Sequence, residues 1–324
     1  MANIKSNKIL FISFVIFIFL FGCVEQVKKQ RTIEIPESYN INITSEYEEI
    51  NKVKLPILPT EENGSINLEQ IANYTKDENA TLNIVFFNIG PDQRLDLISK
   101  GDFDVAIVSI NADKIDEASA LLKSKADDIE ILILPYAKTA VDSLKIKNKI
   151  DVAKIIVPDY ELLNITSPNV EKMKSGDNIK ENGITITFIT PFKGAFSGYE
   201  NNALSFYLND RNFSIFFGND IVEGAIGKIV SSNLALKTDV VVMPSYGKGE
   251  ASGQYMGLFI DRANPKSAVF EGMGIDLNRI EQNDSRVGII NKLLLKNINL
   301  YFVGNNKNVL ISYNGNMYNV NENN

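Results

Sequence analysis

From Thr81 onward the chain is a series of short β-rich apolar runs, most of them closed by a turn residue, and this leaves few architectures open. Leu82–Ile89 runs into Gly90-Pro91. Leu95–Ser99 and Asp104–Ile110 flank Lys100-Gly101-Asp102, which supplies turn chemistry. Over Asp113–Ser124 the apolar residues Ile115, Ala118, Leu121 and Leu122 fall at helical spacing. Further strands are predicted at Ile129–Leu134, Lys154–Val157, Gly183–Ile189, Leu204–Leu208, Phe213–Phe217, Asp239–Met243 and Ala268–Glu271. Helices are predicted at Val222–Ser231 and Arg286–Lys296, and three terminal strands at Leu300–Val303, Val309–Tyr313 and Met317–Val320. Strands that come first as meanders and then alternate with helices, twice over, predict an α/β (α+β) class fold. Its form is an αββα sandwich of two mixed β-sheets. No short-period repeat is present, which excludes a solenoid.

The first residues read differently. Lys5 and Lys8 precede an apolar run, Ile9–Phe21, that is shorter than the roughly 20 residues a spanning helix needs. A positive segment followed by such a run is the pattern of an export signal. Leu20-Phe21-Gly22-Cys23 follows and resembles a lipobox, in which cleavage leaves the cysteine first and lipid joins its sulfur. Cys23 is the chain's single cysteine, so no internal disulfide is available. These features predict a signal peptide over 1–22, lipidation at Cys23 and residence on the outer face of the cytoplasmic membrane. An uncleaved anchor helix is the competing reading.

Residues 23–80 are polar and interrupted by Pro36, Pro56 and Pro59, and they predict a tether with one short helix near Leu68–Tyr74. The sequons at Asn42, Asn63, Asn73 and Asn79 match what an Asn-rich segment produces by chance. The domain proper is expected over 81–324. The net charge is -7, and loss of Lys5 and Lys8 with the signal takes it to -9. That sign is opposite to the one that phosphate neutralisation requires.

Across 82–324 a series of segments, in order, resembles the metallo-β-lactamase fold, in the form of the extracytoplasmic domain of ComEC-type competence proteins. FFNIG resembles that family's first strand, and LDLISKGDFDVAIVSI its second and third. MKSGDNIKENGITITFITP, NNALSFYLNDRNFSIFFGND, LKTDVVVMPSYG and ANPKSAVFEG resemble four further segments in turn, and NLYFVGNNKNVLISYNGNMYNV closes the chain in the same way.

The resemblance implies two zinc ions held by histidines and a bridging aspartate, yet the chain has no histidine at all. The family's H-x-H-x-D-H loop falls on Pro135–Val141. Tyr136 and Lys138 stand for the first two histidines, and Ala140 and Val141 for the Asp-His pair. The bridging carboxylate falls on Asp220, preceded by Asn219 where the family has glycine. G-H-H-G becomes Pro244-Ser245-Tyr246-Gly247, followed by Lys248, and a late histidine falls near Asp284. At most two carboxylates remain, Asp220 and Asp284, and zinc favours nitrogen and sulfur donors. No cofactor is therefore expected and the zinc site is expected to be lost. A weak Mg or Mn site at Asp220 and Asp284 is the exception that the oxygen donors allow.

Tyr136, Lys138, Ser245, Tyr246 and Asp220 are the weak catalytic candidates, since a Lys-Ser or Lys-Tyr pair can activate a nucleophile. The plainer expectation is a solvated polar cleft, with Asp220 as an N-cap of the helix at Val222–Ser231. The reading favoured by these residues is a membrane-anchored, non-catalytic member of the fold with a binding or scaffold role. Polysaccharide, peptide or nucleic acid are its candidate ligands, the first two suiting an acidic protein better. The alternatives are a divalent-cation-dependent hydrolase of phosphodiesterase or nuclease type and a solute-binding lipoprotein.

Overall fold

A computed structural model describes residues 80–160, 163–194, 196, 198–247, 254–271, 285–304 and 307–323. The expected signal peptide, tether, Cys23, Lys248 and Asp284 lie outside the described residues.

The first five strands are β1 (Leu82–Phe86), β2 (Arg94–Lys100), β3 (Phe103–Ser109), β4 (Ile129–Ile133) and β5 (Val152–Pro158), with β6 at Val170–Met173. Helix α1 (Ile115–Lys123) separates β3 from β4, and α2 (Ala137–Ser143) follows β4. The middle of the chain gives β7 (Asn178–Glu181), β8 (Ile184–Thr190), β9 (Ser205–Asp210) and β10 (Phe213–Phe217). Helix α3 (Glu223–Ser231), β11 (Val240–Val242), α4 (Gln254–Ala263), β12 (Ser267–Phe270) and α5 (Ser285–Leu295) then alternate. Strands β13 (Asn299–Phe302), β14 (Asn308–Tyr313) and β15 (Tyr318–Asn323) end the chain.

One sheet runs β15-β14-β1-β2-β3-β4-β5-β6, and the other β13-β12-β11-β10-β9-β8-β7. Each mixes hairpins with parallel pairs: β3, β4, β5 and β6 are mutually parallel, as are β10, β11, β12 and β13. The expected sandwich of two mixed sheets is therefore present.

Period-2 alternation builds the layers, because successive side chains leave opposite faces of a strand. Between the sheets lie Ile84 and Phe86 of β1, Ile131 and Ile133 of β4, Phe213, Ile215 and Phe217 of β10, and Val240 and Val242 of β11. On the outer face of the first sheet, Leu95, Leu97 and Leu132 pack under Ile115, Ala118, Leu121 and Leu122 of α1 and Ala137 and Ala140 of α2. On the outer face of the second, Phe216 and Val241 meet Ile226 and Ile229 of α3, Phe259 of α4 and Leu293 of α5. The order of layers is helix, sheet, sheet, helix.

Turn chemistry sets the register. Asn182 and Gly183 join β7 to β8 with both φ angles positive, at 45° and 73°. A two-residue hairpin turn of that hand favours the Asn-Gly pair found here.

Four strands and helices went unpredicted: the short strands β6 and β7, and helices α2 and α4. The segment after β4, expected as a loop, is instead α2 beginning at Ala137. Thr139 Oγ1 lies 2.9 Å from Ser109 Oγ, and Ser143 Oγ accepts from the Ile110 N–H at 3.0 Å, so this short helix is fastened to the end of β3.

Candidate functional site

The parallel strands bring one kind of strand end to one edge of the sandwich. The carboxyl ends of β4, β5, β8, β10, β11 and β12 release Tyr136, Tyr160, Phe192, Asp220, Ser245 and Glu271 there. A backbone bond from Leu204 N–H to the Pro135 carbonyl, 2.8 Å, joins the two sheets at this edge. In open α/β sheets such carboxyl ends are where ligands bind.

The bend after β10 is built for close approach. A Cβ on Gly218 would lie 2.5 Å from the Pro244 ring and 2.7 Å from its backbone nitrogen, so only glycine fits. Asn219 follows at φ 50°, a left-handed conformation that asparagine tolerates better than most residues. Its side chain is buried, with Nδ2 donating to the Leu204 carbonyl at 2.6 Å. Asp220 comes next. The helix cap expected of it is not made: the N-cap of α3 is Val222, which brings no side-chain bond. Asn201 serves that helix instead, its Oδ1 accepting from the Ala225 N–H at 2.8 Å.

Asp220 faces a cation from the opposite sheet. Arg94, the first residue of β2, has a fully buried side chain and points between the sheets. Its guanidinium donates to Asn219 Oδ1, pairs with Glu271 at 2.8 Å and lies 4.0 Å from Asp220 Oδ2. A guanidinium suits such a place because its planar fork serves several oxygens at once and its charge is weakly hydrated. Two residues along β2, on the same face, Asp96 is wholly buried. Neither of its oxygens meets an N–H or O–H donor, and its polar neighbour is the Glu271 carboxyl. Burial, reinforced by Glu271 and Asp220, holds Asp96 well above the usual carboxylate range, and the pull of Arg94 does not reverse this. Two carboxyls can hydrogen-bond only through a proton, so the Asp96–Glu271 pair holds one between them.

The remaining predicted residues do not assemble into a catalytic unit. Tyr136 Oη donates to Glu200 at 2.8 Å, and burial together with Glu200 pushes its pKa up, so the phenol stays protonated and cannot act as a base. Lys138 is exposed on the first turn of α2 and bonds to neither Tyr136 nor Ser245. Ser245 Oγ donates to the Ile221 carbonyl at 2.7 Å rather than to a base, and its backbone N–H is held by the Asn219 carbonyl, also at 2.7 Å. Tyr246 lies in the 3-10 turn Pro244–Gly247. Ala140 is packed in the core and Val141 is 58% exposed.

These residues do not fit a dinuclear metal centre. The positions that the resemblance gives to imidazoles hold a hydrogen-bonded phenol, a solvated ammonium and a hydroxyl bonded to a carbonyl, and the bridging position faces an internal cation. Among the described residues, no three His, Cys, Asp or Glu side chains converge as metal ligands. Asp284 lies outside the described residues, so of the two carboxylates expected there only the surroundings of Asp220 are described.

The rim of this edge is aromatic. The connection from β8 to β9 carries Phe192, Phe196 and Tyr199, and Lys228 of α3 sits 4.6 Å over the Phe192 ring. Tyr199 meets Tyr160 edge to face, with ring centres 5.6 Å apart. Asn202 holds the connection in shape by donating to the Gly198 carbonyl at 2.6 Å.

Arg94, Asp96 and Glu271 were not among the residues singled out by the sequence. Their signal was a polar pair at i and i+2 in a strand whose neighbours, Leu95 and Leu97, face the opposite way. A strand covered on both faces must pair such residues internally.

No protein-family model matches the sequence, and no curated protein is significantly similar to it. Solved structures that align with the chain include the metallo-beta-lactamase fold protein YhfI from Bacillus subtilis. It has 8% identity and a TM-score of 0.47, covering 71% of this chain and 99% of that one. CmlA, a diiron beta-hydroxylase from Streptomyces venezuelae, aligns at 8% identity and a TM-score of 0.46, covering 71% of this chain and 54% of its own. MEM-A1, a subclass B3 metallo-beta-lactamase from a soil metagenome library, aligns at 12% identity and a TM-score of 0.39, covering 67% and 93%. Among the described residues, no helix is long and apolar enough to cross a membrane.

Proposed function

We propose that the chain is an exported, lipid-anchored, non-catalytic relative of ComEC-type metallo-β-lactamase domains that binds a polymer outside the cell. The observation that carries the non-catalytic part is Arg94. The resemblance gives Asp220 the role of bridging two metal ions, and in this protein a buried guanidinium faces that carboxylate and pairs with Glu271 beside it. A fixed cation next to Asp220 opposes a second cation by direct repulsion, and this repulsion is weakly screened in a buried site.

The ligand that the rim suits is a polysaccharide. Tyrosine offers a flat apolar face with a hydroxyl at its edge, and Tyr160 and Tyr199 meet at the rim beside the Tyr136–Glu200 pair. The acidic balance of the chain argues against nucleic acid. Attachment would be through lipid at Cys23, and stable attachment calls for more than one acyl chain.

The test is the metal content of the protein purified without chelator or histidine tag, followed by a phosphodiesterase assay with added Mg²⁺. Substoichiometric zinc, iron and manganese, with no divalent-dependent hydrolysis, is the expected result. A stoichiometric metal that is lost in Asp220→Ala would overturn the reading in favour of a hydrolase.

A further inference from the structure

Two N-x-[ST] sequons fall among the described residues, Asn164-Ile165-Thr166 and Asn212-Phe213-Ser214. The motif is the same and the surroundings are opposite. The first lies in the connection from β5 to β6, outside helix and strand. Asn164 and Thr166 are exposed, while Ile165 between them is buried and packs with Leu163 into the core under the first sheet's helices. The buried isoleucine anchors the motif and leaves its two polar side chains outside. Bonds from Leu163 N–H to the Tyr160 carbonyl, 3.0 Å, and from Val170 N–H to the Ser167 carbonyl, 3.1 Å, hold the chain on either side. Between them, no backbone or side-chain group of Asn164, Ile165 or Thr166 hydrogen-bonds to a described residue. In the second sequon Asn212 is exposed at the turn from β9 to β10, but the rest of the motif belongs to β10. Phe213 is buried and stacks on Tyr313 with ring centres 5.1 Å apart. Ser214 Oγ donates to Asp239 Oδ2 at 3.3 Å and accepts from the Asp239 N–H at 3.2 Å, and the Ser214 N–H donates to the same carboxylate at 3.0 Å.

We propose that Asn164 is an N-glycosylation site of the folded protein, taking an oligosaccharide from a lipid-linked diphosphate donor, and that the fold withholds Asn212 from the same reaction. The inference rests on the proposed export of the chain, because the sequon is an acceptor in exported proteins. Transfer needs both polar side chains of the motif to reach one enzyme, the carboxamide as nucleophile and the hydroxyl as recognition group. In the reaction Asn164 Nδ2 attacks the anomeric carbon of the first sugar. An N–C bond forms, the C–O bond to the diphosphate breaks, the lipid diphosphate leaves and the amide gives up one proton. Asn164 and Thr166 can be presented without breaking any bond of the fold. Presenting Ser214 would unpair a strand, pull Phe213 out of the core and break three bonds to Asp239. A glycan is bulky and solvated, so it suits an exposed loop. It would stand on the connection that carries Tyr160 of the rim.

The test uses the whole folded protein, a purified oligosaccharyltransferase and its lipid-linked oligosaccharide, with each site read by glycopeptide mass spectrometry. Synthetic peptides spanning 160–170 and 208–218 serve as acceptors without the fold. Both peptides should be glycosylated, and of these two asparagines the folded protein should be modified at Asn164 alone. Asn164→Gln should lose one glycan's mass and keep the wild-type unfolding midpoint, and Asn212→Gln should lose none. Equal occupancy of the two sites in the folded protein would overturn the proposal, and so would a bare Asn164. A 208–218 peptide that is refused as well would mean that the sequence spares Asn212, and would overturn the role given to the fold. Protein recovered from the membranes of the cells that make it separates this inference from the export on which it rests. Lipid on Cys23 with a glycan on Asn164 supports both. Lipid on Cys23 with a bare Asn164 overturns the glycan. A chain that keeps residues 1–22 and carries no lipid overturns the export, and transfer to the folded protein then decides whether Asn164 is an acceptor.

Discussion

Strand β2 ends in a buried cation on one side and a half-covered one on the other. At its far end Lys100 pairs with Asp210 of β9 at 2.9 Å, and 16% of the lysine side chain still reaches water. The pair is one to one. The Asn182–Gly183 turn closes over it, with Asn182 Nδ2 donating to the Lys100 carbonyl at 2.6 Å. At the near end the Arg94 side chain is fully buried and faces three carboxyls rather than one. At the Lys100 end one ion pair joins the two sheets, whereas at the Arg94 end the surplus acid is met by burial and neighbouring carboxyls that hold Asp96 well above the usual carboxylate range.

The difference is measurable as stability. Arg94→Met should cost about 3–5 kcal/mol, because it strands buried carboxylates. Lys100→Met should cost less, about 1–3 kcal/mol, since it strands one buried carboxylate rather than several and the lysine it removes is itself partly exposed. Urea unfolding of both variants checks the order, and equal costs would erase the contrast between the two ends. Gly218→Ala should also destabilise by about 1–3 kcal/mol, because the added methyl overlaps Pro244 and forces apart the bend that presents Asn219 and Asp220.

A pH series sharpens the near end alone. The folded-state pKa of Asp96 is raised above its ordinary 3.8. The stability it contributes is thus fully present below pH 3.8 and is lost as pH rises through the folded value. Asp96→Asn copies the protonated acid, so it should match wild type in acid and become the more stable protein as pH rises toward neutrality. Urea midpoints at several pH values check this, and a constant gap would contradict it. The smallest effect is expected at the rim. Tyr136→Phe removes the bond to Glu200 at a partly solvated site and should cost about 0.5–1.5 kcal/mol, with no change in metal content.

Much of this fold was legible in the sequence because alternation and turn residues carry it. Phe213–Phe217 was predicted with the boundaries it has, since alternating aromatic and aliphatic residues fill two cores at once. Strands β6 and β7 were missed because they lie at sheet edges and are largely polar, so they show no apolar run. Helix α2 was missed because it is short and has no side-chain cap, and it holds its place through Thr139 and Ser143. At the candidate site the sequence pointed to Asp220 and to the residues standing at the positions that the resemblance gives to histidines. It could not place Arg94, because a basic residue at the start of a strand reads as solvent-facing until a second sheet is known to cover it. Glu271 was hidden for the same reason, at the end of a strand whose partner cation is 177 positions away by residue number.

The most direct test is a double-mutant cycle on Arg94 and Asp220, using Arg94→Met and Asp220→Asn separately and together, with stability measured by urea unfolding. If the guanidinium is the cation that Asp220 serves, the cycle should return a coupling energy within about 0.5–3 kcal/mol, the range for residues in one buried network. Additive costs, with wild-type stability that rises on adding zinc and loses that response in Asp220→Asn, would mean that Asp220 serves a metal and that Arg94 is a bystander.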